Sequence, residues 1–364
     1  MKRAHLKRNI RQIAFFATVW LFAALLYALV EFGLLGRLDY YPSTSNPYDF
    51  ANALIYTVSG SFVMGLLQGS FEVLWLKRLF QRRPLWFKVI FKSLLYLFMI
   101  CLFIIILAVL TNTQRLKVGL ADPIIADNLA AFLSRFAFWS VVIYVGAILL
   151  VAMLLSEVSQ YLGPGMLTNF FIGKYHKPFR EQRIFMFLDM NDSTTLAESL
   201  GHEKYFALLR AYYAEMSDPI LSNYGEIYHY VGDEVVVSWN LEEGLANGRC
   251  LQCFREISKR LESRESFFLD RYGAAPGCKA AFHLGEVTTG EIGELKKALI
   301  HTGDVLNTTA RILGRCHEFE ARALVSGELK RALPESNWNF EQVGTVNLKG
   351  KTEDTELYKV LWDD

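Results

Sequence analysis

The stretch that decides the fold of the second half of the chain is RIFMFLDMNDST, residues 183–194. Its first part, Arg183–Met190, is rich in apolar and β-forming residues, and this predicts a buried strand. Asp189 falls at the end of that strand. A carboxylate there is costly to bury unless it is paired or binds a cation. Asp189 is therefore the first candidate metal ligand.

A second candidate carboxylate, Asp233, follows in a predicted hairpin. The runs Glu226–Val231 and Glu234–Trp239 predict two strands joined by a Gly232-Asp233 turn. In a ferredoxin-like sheet the first strand lies beside this hairpin, so Asp189 and Asp233 could meet at one end of the sheet. Two carboxylates with open positions suit Mg²⁺ that also binds substrate phosphates. Alone, each signal is weak, because Asp is common in turns and at helix N-termini.

The pattern around these two segments is α+β. It predicts an antiparallel sheet with helices mainly on one face. Helical periodicity is expected over Thr194–Leu200, His202–Leu221, Glu242–Arg271 and Val305–Cys316, and further strands over Cys278–Leu284, Glu286–Thr289, Ala323–Ser326 and within Trp338–Leu361.

The first half of the chain has a different composition. The chain has 364 residues, of which 52% are hydrophobic, and most of the apolar excess precedes residue 157. Crossing a bilayer takes about 20 apolar helical residues. Four runs are long enough, namely Ile13–Leu35, Asn52–Leu76, Val89–Leu110 and Phe132–Glu157. We therefore predict a multi-domain fold: a four-helix transmembrane bundle (1–157), a coupling linker (158–182) and an α+β domain (183–364).

The distribution of basic residues in the loops predicts the orientation of the bundle. Cytoplasmic loops carry an excess of Lys and Arg. The N-terminus and the loop after the second span are the basic segments, with Lys2, Arg3, Lys7, Arg8 and Arg11 in one, and Lys77, Arg78, Arg82, Arg83 and Lys88 in the other. This predicts a multi-pass protein of the cell inner (plasma) membrane with both termini in the cytoplasm.

Charged residues near the spans permit two further expectations. Glu31 and Glu72 lie near the ends of their spans, and we expect them to be interfacial residues reached by water or headgroups. The basic segment Gly173–Arg183 is expected either to lie close to anionic membrane lipid or to be a plain solvated linker.

Charge and cysteine content exclude two classes of protein. The net charge of +1 gives no basic field for nucleic acid, so nucleic acid is not an expected partner. Five cysteines without a dense framework argue against a disulfide-stapled secreted domain. We interpret Cys250 and Cys253 as helix-packing residues, and His283 and His301 as structural.

The motifs together resemble the class III nucleotidyl cyclases, which include adenylate and guanylate cyclases. The resemblance covers residues 183–360. It consists of four separated pieces in the family's order: Phe187-Leu188-Asp189 with Thr194, Gly232-Asp233, the run GDVLNTTAR from Gly303 to Arg311, and Lys349-Gly350-Lys351.

The resemblance implies a site and a mechanism. Asp189 and Asp233 would hold two Mg²⁺ (or Mn²⁺) ions, Asn307 would position the ribose, Arg311 would stabilise charge on the phosphate, and Lys349 would bind the β- and γ-phosphates. Such an enzyme converts a nucleoside triphosphate to the 3′,5′-cyclic nucleotide and pyrophosphate. In this family, the carboxylates and the Asn/Arg pair of one site come from different subunits, so a homodimer is implied.

Two positions depart from the adenylate cyclase pattern. His229 and Ile300 stand where that family carries the residues that choose the purine. Ile300 offers no acceptor for the adenine amino group, whereas His229 can donate or accept a hydrogen bond. ATP is the preferred expectation because adenylate cyclases are the commoner bacterial members, and GTP or a pyrimidine triphosphate remains open.

Two alternatives stay open on the sequence. One is a catalytically weak or inactive cyclase-like domain that binds a nucleotide as a sensor. The other is a diguanylate cyclase, since Val231-Gly232-Asp233-Glu234 faintly resembles the signature of that related fold. The second is disfavoured because the Asn307/Arg311 helix and the Lys349 turn do not belong to it.

Overall fold

The computed structural model describes the chain except residues 1, 41–48, 77–78, 81–82, 121, 163–168, 170–171, 296, 335–337, 347–353 and 363–364. The chain forms two units. The first takes in Lys7–Thr168 and the second takes in Asn169–Asp364.

The regular elements described in the first unit are all helices. Its helices are α1 (Lys2–Leu35), α2 (Phe50–Phe71), α3 (Leu85–Leu116), α4 (Pro123–Ser134) and α5 (Phe136–Leu162), and a π-helical turn (Glu72–Leu76) continues α2. Four segments are long and apolar enough to cross a membrane: Asn9–Leu35, Phe50–Leu76, Leu85–Ile106 and Phe138–Ser159. The predicted set of four apolar helices is confirmed.

The fourth apolar run is interrupted, which the sequence pattern did not predict. Helix α4 ends at Ser134, and Arg135 has extended backbone angles (φ −75°, ψ 137°) before α5 begins. The indole N–H of Trp139 donates to the carbonyl oxygen of Leu133 at 2.9 Å, which satisfies an acceptor left free at the end of α4. The spanning helix therefore starts after Phe132.

Helices α1 and α2 pack closely because small residues line their contact. A Cβ atom added at Gly65 would lie 2.7 Å from Cα of Ala17, and one added at Gly69 would lie 2.9 Å from Cα of Ile13. Two glycines four residues apart allow helix backbones to approach in this way. In the same contact, Trp20 donates its indole N–H to Oε1 of Gln68 at 2.5 Å.

The expectation that Glu72 is interfacial is wrong. Its side chain is 5% exposed and forms an ion pair with Lys92, which also lies 2.9 Å from Glu157. The hydroxyl of Tyr96 donates to Glu72 at 3.0 Å. Glu72 sits at the π-helical turn, and Lys92, within the third apolar run, supplies the opposite charge that makes its burial tolerable. The interfacial location of Glu31 stays a prediction.

The second unit is an α+β domain. Its strands are β1 (Phe179–Met190), β2 (Glu226–Val231), β3 (Glu234–Asn240), β4 (Cys278–Ile292), β5 (Ala298–Thr302), β6 (Ala323–Ser326), β7 (Asn339–Val346) and β8 (Thr355–Leu361). Its helices are α6 (Ser193–Ser222), α7 (Leu241–Leu245), α8 (Arg249–Ser263), α9 (Glu265–Tyr272), α10 (Asp304–Gly314) and α11 (Gly327–Ala332).

These strands form one sheet in the order β2-β3-β1-β4-β6-β8-β7, with β5 added beside β4. Strand β1 pairs antiparallel with both β3 and β4, and β4 pairs parallel with β6. The order β2-β3-β1-β4, with helices between β1 and β2 and between β3 and β4, is the ferredoxin-like arrangement. The fold class predicted from the sequence is confirmed.

Helices lie mainly on one face of this sheet, as expected, and α10 covers part of the opposite face. Successive residues of a strand point to opposite faces. Ile184 and Met186 of β1 pack in a core with Tyr212 of α6 and Phe254 of α8. Phe185 and Phe187 pack in a second core with residues of α10, among them Val305 and Ile312. Strand β1 is apolar from Ile184 to Leu188 because both its faces are buried there.

Some boundaries differ from the predicted ones, and β1 begins at Phe179, inside the predicted linker, and not at Arg183. The helix predicted over Glu242–Arg271 is divided at Asn247 and Gly248, both of which have positive φ. The two strands predicted between Cys278 and Thr289 are one strand, β4, and β5 beside it was missed. The predicted break at Gly201 is present as a kink in α6, where Gly201 has a φ of 71°.

Candidate active site

Asp189 lies near the C-terminal end of β1, between two strands. Its neighbour Leu188 pairs with Val235 of β3, and Asp189 itself pairs with Lys279 of β4. The ammonium of Lys279 is 3.2 Å from Oδ2 of Asp189, and both side chains are partly exposed, at 32% and 25%. The strand thus places the carboxylate of Asp189 at the rim of the sheet, next to the buried core.

Asp233 reaches the same rim from the turn between β2 and β3. Gly232 has a φ of 63°, a conformation that glycine adopts at little cost, and this tight turn places Asp233 beside the end of β1. Tyr213 of α6 donates its hydroxyl to the carbonyl oxygen of Gly232 at 2.8 Å and fixes the turn. The carboxyl groups of Asp233 and Asp189 are within hydrogen-bonding reach of each other.

The electrostatics of this rim disfavour an additional negative charge. Burial, followed by the hydrogen bond that protonated Asp189 donates to Asp233, raises the pKa of Asp189, although Lys279 acts in the opposite direction. The pKa of Glu234 is also raised, mainly by burial and then by Asp189 and Asp233. Burial and the charge of Asp233 likewise raise the pKa of Tyr205. These groups share a site in which a cation would be stabilised.

The two carboxylates fit a divalent ion that takes other ligands from its substrate. Among the described residues, no group of three or more His, Cys, Asp or Glu side chains is arranged to hold a metal ion by itself. Mg²⁺ is commonly bound through one or two carboxylates plus substrate phosphates, and it keeps several waters. Asp189 and Asp233 meet that description.

Asn307 and Arg311 lie on α10, which packs on the sheet through Val305, Thr308 and Ile312. Asn307 is exposed and Arg311 is half-buried. In the part of the chain that the structure describes, Nη1 of Arg311 is buried and has no hydrogen-bond partner. A buried guanidinium donor without an acceptor is costly, and a phosphate oxygen would satisfy it.

The helix residues make no direct bond to the carboxylates within the described part of one chain. Over the described residues, Asn307 and Arg311 form no hydrogen bond or ion pair with Asp189 or Asp233. Lys349 falls outside the described residues, so its predicted phosphate contact stays a prediction.

The two predicted base-facing positions lie on β2 and β5. His229 is exposed, and its ring centroid is 4.1 Å from that of Tyr228. Ile300 is half-buried on β5 and pairs with Gly290. The next residue, His301, is buried, and its ring centroid is 4.8 Å from that of Tyr228. A structural place for His301 is thus confirmed.

Three residues of the site were missed in the sequence. Lys279 is identified by its strand pairing with Asp189. Tyr213 of α6 is identified by its hydrogen bond to the hairpin, and Tyr228 by its ring contact with His229. A tyrosine directly before His229 was the one available signal.

The packing role expected for Cys250 and Cys253 is confirmed, since both are fully buried in the core beneath the sheet. His283 is also buried, with Nδ1 2.8 Å from the Ser326 hydroxyl.

Comparison with known proteins shows what the chain is similar to. No protein-family model matches the chain. A 196-residue stretch is 34% identical to Adenylate cyclase 2 of Rhizobium meliloti and covers 54% of each protein. A 190-residue stretch is 28% identical to Adenylate cyclase 1 of the same organism, covering 50% of this chain and 28% of that protein. The chain spans about half the length of the first of these relatives and less of the second.

Among solved structures, a bacterial light-regulated adenylyl cyclase superposes with a TM-score of 0.50 at 19% identity, covering 59% of this chain and 64% of that one. At that identity the likeness concerns the fold. The resemblance to class III nucleotidyl cyclases is thereby confirmed: over about half its length this chain is similar to proteins named adenylate cyclase, and its α+β unit has the fold of a cyclase catalytic domain.

Proposed function

We propose that the chain is a membrane-bound nucleotidyl cyclase that converts a nucleoside triphosphate, with ATP as the first choice, to the 3′,5′-cyclic nucleotide and pyrophosphate. The observation that carries the proposal is the contact of Asp189 with Asp233 at the rim of the sheet, where the pKa of Asp189 is raised. Neither residue contributes to a hydrophobic core, and their proximity is explained if they share divalent ions.

In the proposed reaction the ribose 3′-oxygen attacks the α-phosphorus. The new bond is O3′–Pα, the bond that breaks joins Pα to the pyrophosphate oxygen, and the 3′-hydroxyl proton leaves to water. Two bound divalent ions would lower the pKa of the 3′-hydroxyl and neutralise the leaving pyrophosphate. Asp189 and Asp233 hold and orient the site, and Tyr213 keeps the Asp233 turn in place.

The residues of α10 complete the site from a second copy of the chain. The buried Nη1 of Arg311 supplies a donor for the charge that develops on the α-phosphate. Asn307, one helical turn earlier and exposed, orients the ribose. Because neither residue contacts the carboxylates of its own chain, we propose a homodimer with two equivalent shared sites. Lys349 would bind the β- and γ-phosphates.

The four apolar segments support a place in a membrane. We propose the inner (plasma) membrane, with both termini and the α+β unit in the cytoplasm, where nucleoside triphosphates are found. That orientation follows from the basic N-terminus and the basic loop after α2. The cyclic nucleotide would then be released as an intracellular signal.

The test is product analysis with the full chain in detergent. The protein is incubated separately with ATP, GTP, CTP and UTP, with Mg²⁺ or Mn²⁺, and the products are identified by mass spectrometry. We expect a 3′,5′-cyclic mononucleotide from one triphosphate, and no product from the Asp233→Asn variant. A cyclic dinucleotide would indicate a diguanylate cyclase, and nucleotide binding without any product would indicate the sensor alternative.

A further inference from the structure

Three aromatic rings form a continuous row beside the two base-facing positions. The ring of Tyr228 lies between the imidazoles of His229 and His301, with centroid distances of 4.1 Å and 4.8 Å. Phe185 closes the row from the sheet, edge-on to both Tyr228 and His301. The only member of this row that is exposed is His229.

A β-bulge explains how two consecutive side chains come to lie together. Neighbours in a regular strand point to opposite faces. In β2 the register with β3 shifts between Ile227 and His229, so that Tyr228 is the extra residue of the bulge. Bulges next to active sites re-aim side chains in this way. Here the bulge turns the Tyr228 ring toward His301 and leaves the His229 side chain exposed to solvent.

His301 is held in one protonation state and one tautomer. The guanidinium Nη1 of Arg183 is 3.1 Å from Nε2 of His301. Because Arg183 can only donate, Nε2 must accept, and the ring proton is therefore on Nδ1. Nδ1 is 2.7 Å from the hydroxyl of Thr289, which in turn donates to Glu181 at 2.5 Å.

The surroundings keep this imidazole neutral. Burial, then the charges of Arg183 and His229, lower the pKa of His301 to about 3. Arg183 is itself 5% exposed and is held by Glu226 at 2.6 Å and by Asn240 at 3.0 Å. His301 is thus a fixed part of the scaffold and not a titrating group of the site.

A hydrogen bond joins the two strands that carry the predicted base-facing residues. The backbone N–H of His301 donates to the hydroxyl oxygen of Tyr228 at 3.0 Å. Strand β5 carries Ile300 immediately before His301, and strand β2 carries His229 immediately after Tyr228. These strands are not neighbours in the sheet, since β5 pairs with β4 and β2 with β3. The tyrosine hydroxyl therefore connects β2 to β5, two strands that are not paired through their backbones.

We propose that Tyr228, anchored on His301, is the residue that positions His229 relative to Ile300 and thereby determines which nucleotide base the site accepts. Tyr228 acts through His229 and is a positioning residue. This inference rests on the proposed function for its substrate. The ligand edge that His229 would read is the Watson–Crick edge of a purine or pyrimidine base.

The test compares Tyr228→Phe, which removes the hydroxyl and keeps the ring, with wild type and with a matched control. The control is Tyr272→Phe, which also removes one tyrosine hydroxyl that is hydrogen-bonded to the backbone; this hydroxyl donates to the carbonyl oxygen of Ala207 in an exposed contact. For the full chain, KM and kcat are measured with ATP, GTP, CTP and UTP. Dissociation constants for the same four are measured by competition against a fluorescent nucleotide analogue.

We expect the loss of one neutral hydrogen bond to raise KM for the preferred nucleotide about fivefold, with kcat changed by less than about twofold. The preference over the next-best base should fall by about the same factor, and Tyr272→Phe should leave it unchanged. If the Tyr228 hydroxyl had only a structural role, its removal would lower kcat for all four nucleotides by a similar factor. The preference among the four nucleotides would then be unchanged.

The outcomes separate this inference from the proposed function. If wild type binds nucleotides but forms no cyclic product, the cyclase proposal fails, and the ratios of dissociation constants in Tyr228→Phe still decide the positioning role. If those ratios match wild type within about twofold, Tyr228 does not set base preference. If wild type binds none of the four nucleotides, both proposals are overturned.

Discussion

The ammonium of Lys279 lies 3.2 Å from Oδ2 of Asp189, its direct partner across β1 and β4. The pKa of Asp189 is nevertheless raised, because burial and the hydrogen bond that protonated Asp189 donates to Asp233 outweigh the effect of the lysine. Between the ordinary and the raised pKa, the native state binds more protons than the unfolded state. The carboxylate pair therefore destabilises the fold as pH rises through that window, and this cost is still present at neutral pH.

Replacing Asp189 by Asn should stabilise the α+β unit while abolishing activity. The change removes the charge next to Asp233 and keeps the shape, and changes at strained functional sites commonly add about 1 kcal/mol. The measurement is the thermal unfolding of the full chain in detergent without divalent ions. The increase in melting temperature of Asp189→Asn over wild type should be larger at pH 7 than near pH 4. Asp270→Asn, at an exposed position of α9, is the matched control; a loss of stability in Asp189→Asn would contradict the prediction.

Divalent ions should stabilise wild type and neither carboxylate variant. Binding to the native state alone adds about 2.7 kcal/mol when the free ion is at 100 times its dissociation constant. We expect Mn²⁺ to raise the melting temperature of wild type, and to leave Asp189→Asn and Asp233→Asn nearly unchanged. This readout needs no turnover. An equal shift in all three proteins would place the ion elsewhere.

Two inactive variants should recover activity when they are mixed. Asp189→Ala lacks a metal ligand and Arg311→Ala lacks the phosphate donor, so each homodimer has two defective sites. A mixed dimer restores one intact site, and up to about a quarter of wild-type activity is expected if chains pair at random in equal amounts. Absence of recovery, with both variants folded and exchanging subunits, would count against sites shared between chains.

Acidification should narrow the stability difference between wild type and His301→Gln. His301 has a pKa of about 3 in the native state and about 6.5 in the unfolded state. Between these two pH values the imidazole is protonated in the unfolded chain and neutral in the native state. Stability from this residue is complete above pH 6.5 and is lost as pH falls toward 3. Glutamine can accept from Arg183 and does not titrate. Melting temperatures at pH 7 and pH 5 check this, and a gap that widens at pH 5 would refute it.

Removing Lys92 should destabilise the helical unit severely. Lys92→Met leaves Glu72 and Glu157 buried without their shared cation, and breaking a buried pair in this way costs about 3–5 kcal/mol. Lys88→Met is the control, since Lys88 is more exposed and lies 3.4 Å from Glu157 alone. A triple variant that adds Glu72→Gln and Glu157→Gln should recover most of the melting temperature. Lys92→Met with wild-type stability would show that the cluster is not structural.

The sequence predicted the fold class and the proximity of the two carboxylates because both follow from local patterns. An unbroken apolar strand ending in Asp189 and a Gly232-Asp233 turn are each visible within about ten residues. The ferredoxin-like order then places the strand end beside the hairpin, and the register of Leu188 with Val235 confirms this. The metal-binding role of the pair stays a prediction.

Contacts between distant segments could not be predicted in the same way. The pairing of Lys279 with Asp189 depends on strand register, and the bridge from His301 to Tyr228 depends on a bulge. Glu72 was misinterpreted because its partners Lys92 and Tyr96 come from another helix. A charge within an apolar run reveals its environment only when the packing of the helices is known.

The close approach of α1 and α2 limits how the helical unit can respond to a stimulus. With no space for a side chain at Gly65 or Gly69, the two backbones interlock, and sliding or twisting one helix would drive it into the other. The pair must therefore shift as a single block. Any rearrangement within that unit has to be taken up by α3, α4 and α5, where side chains with several rotamers, such as Leu97 against Gly146, form the contacts.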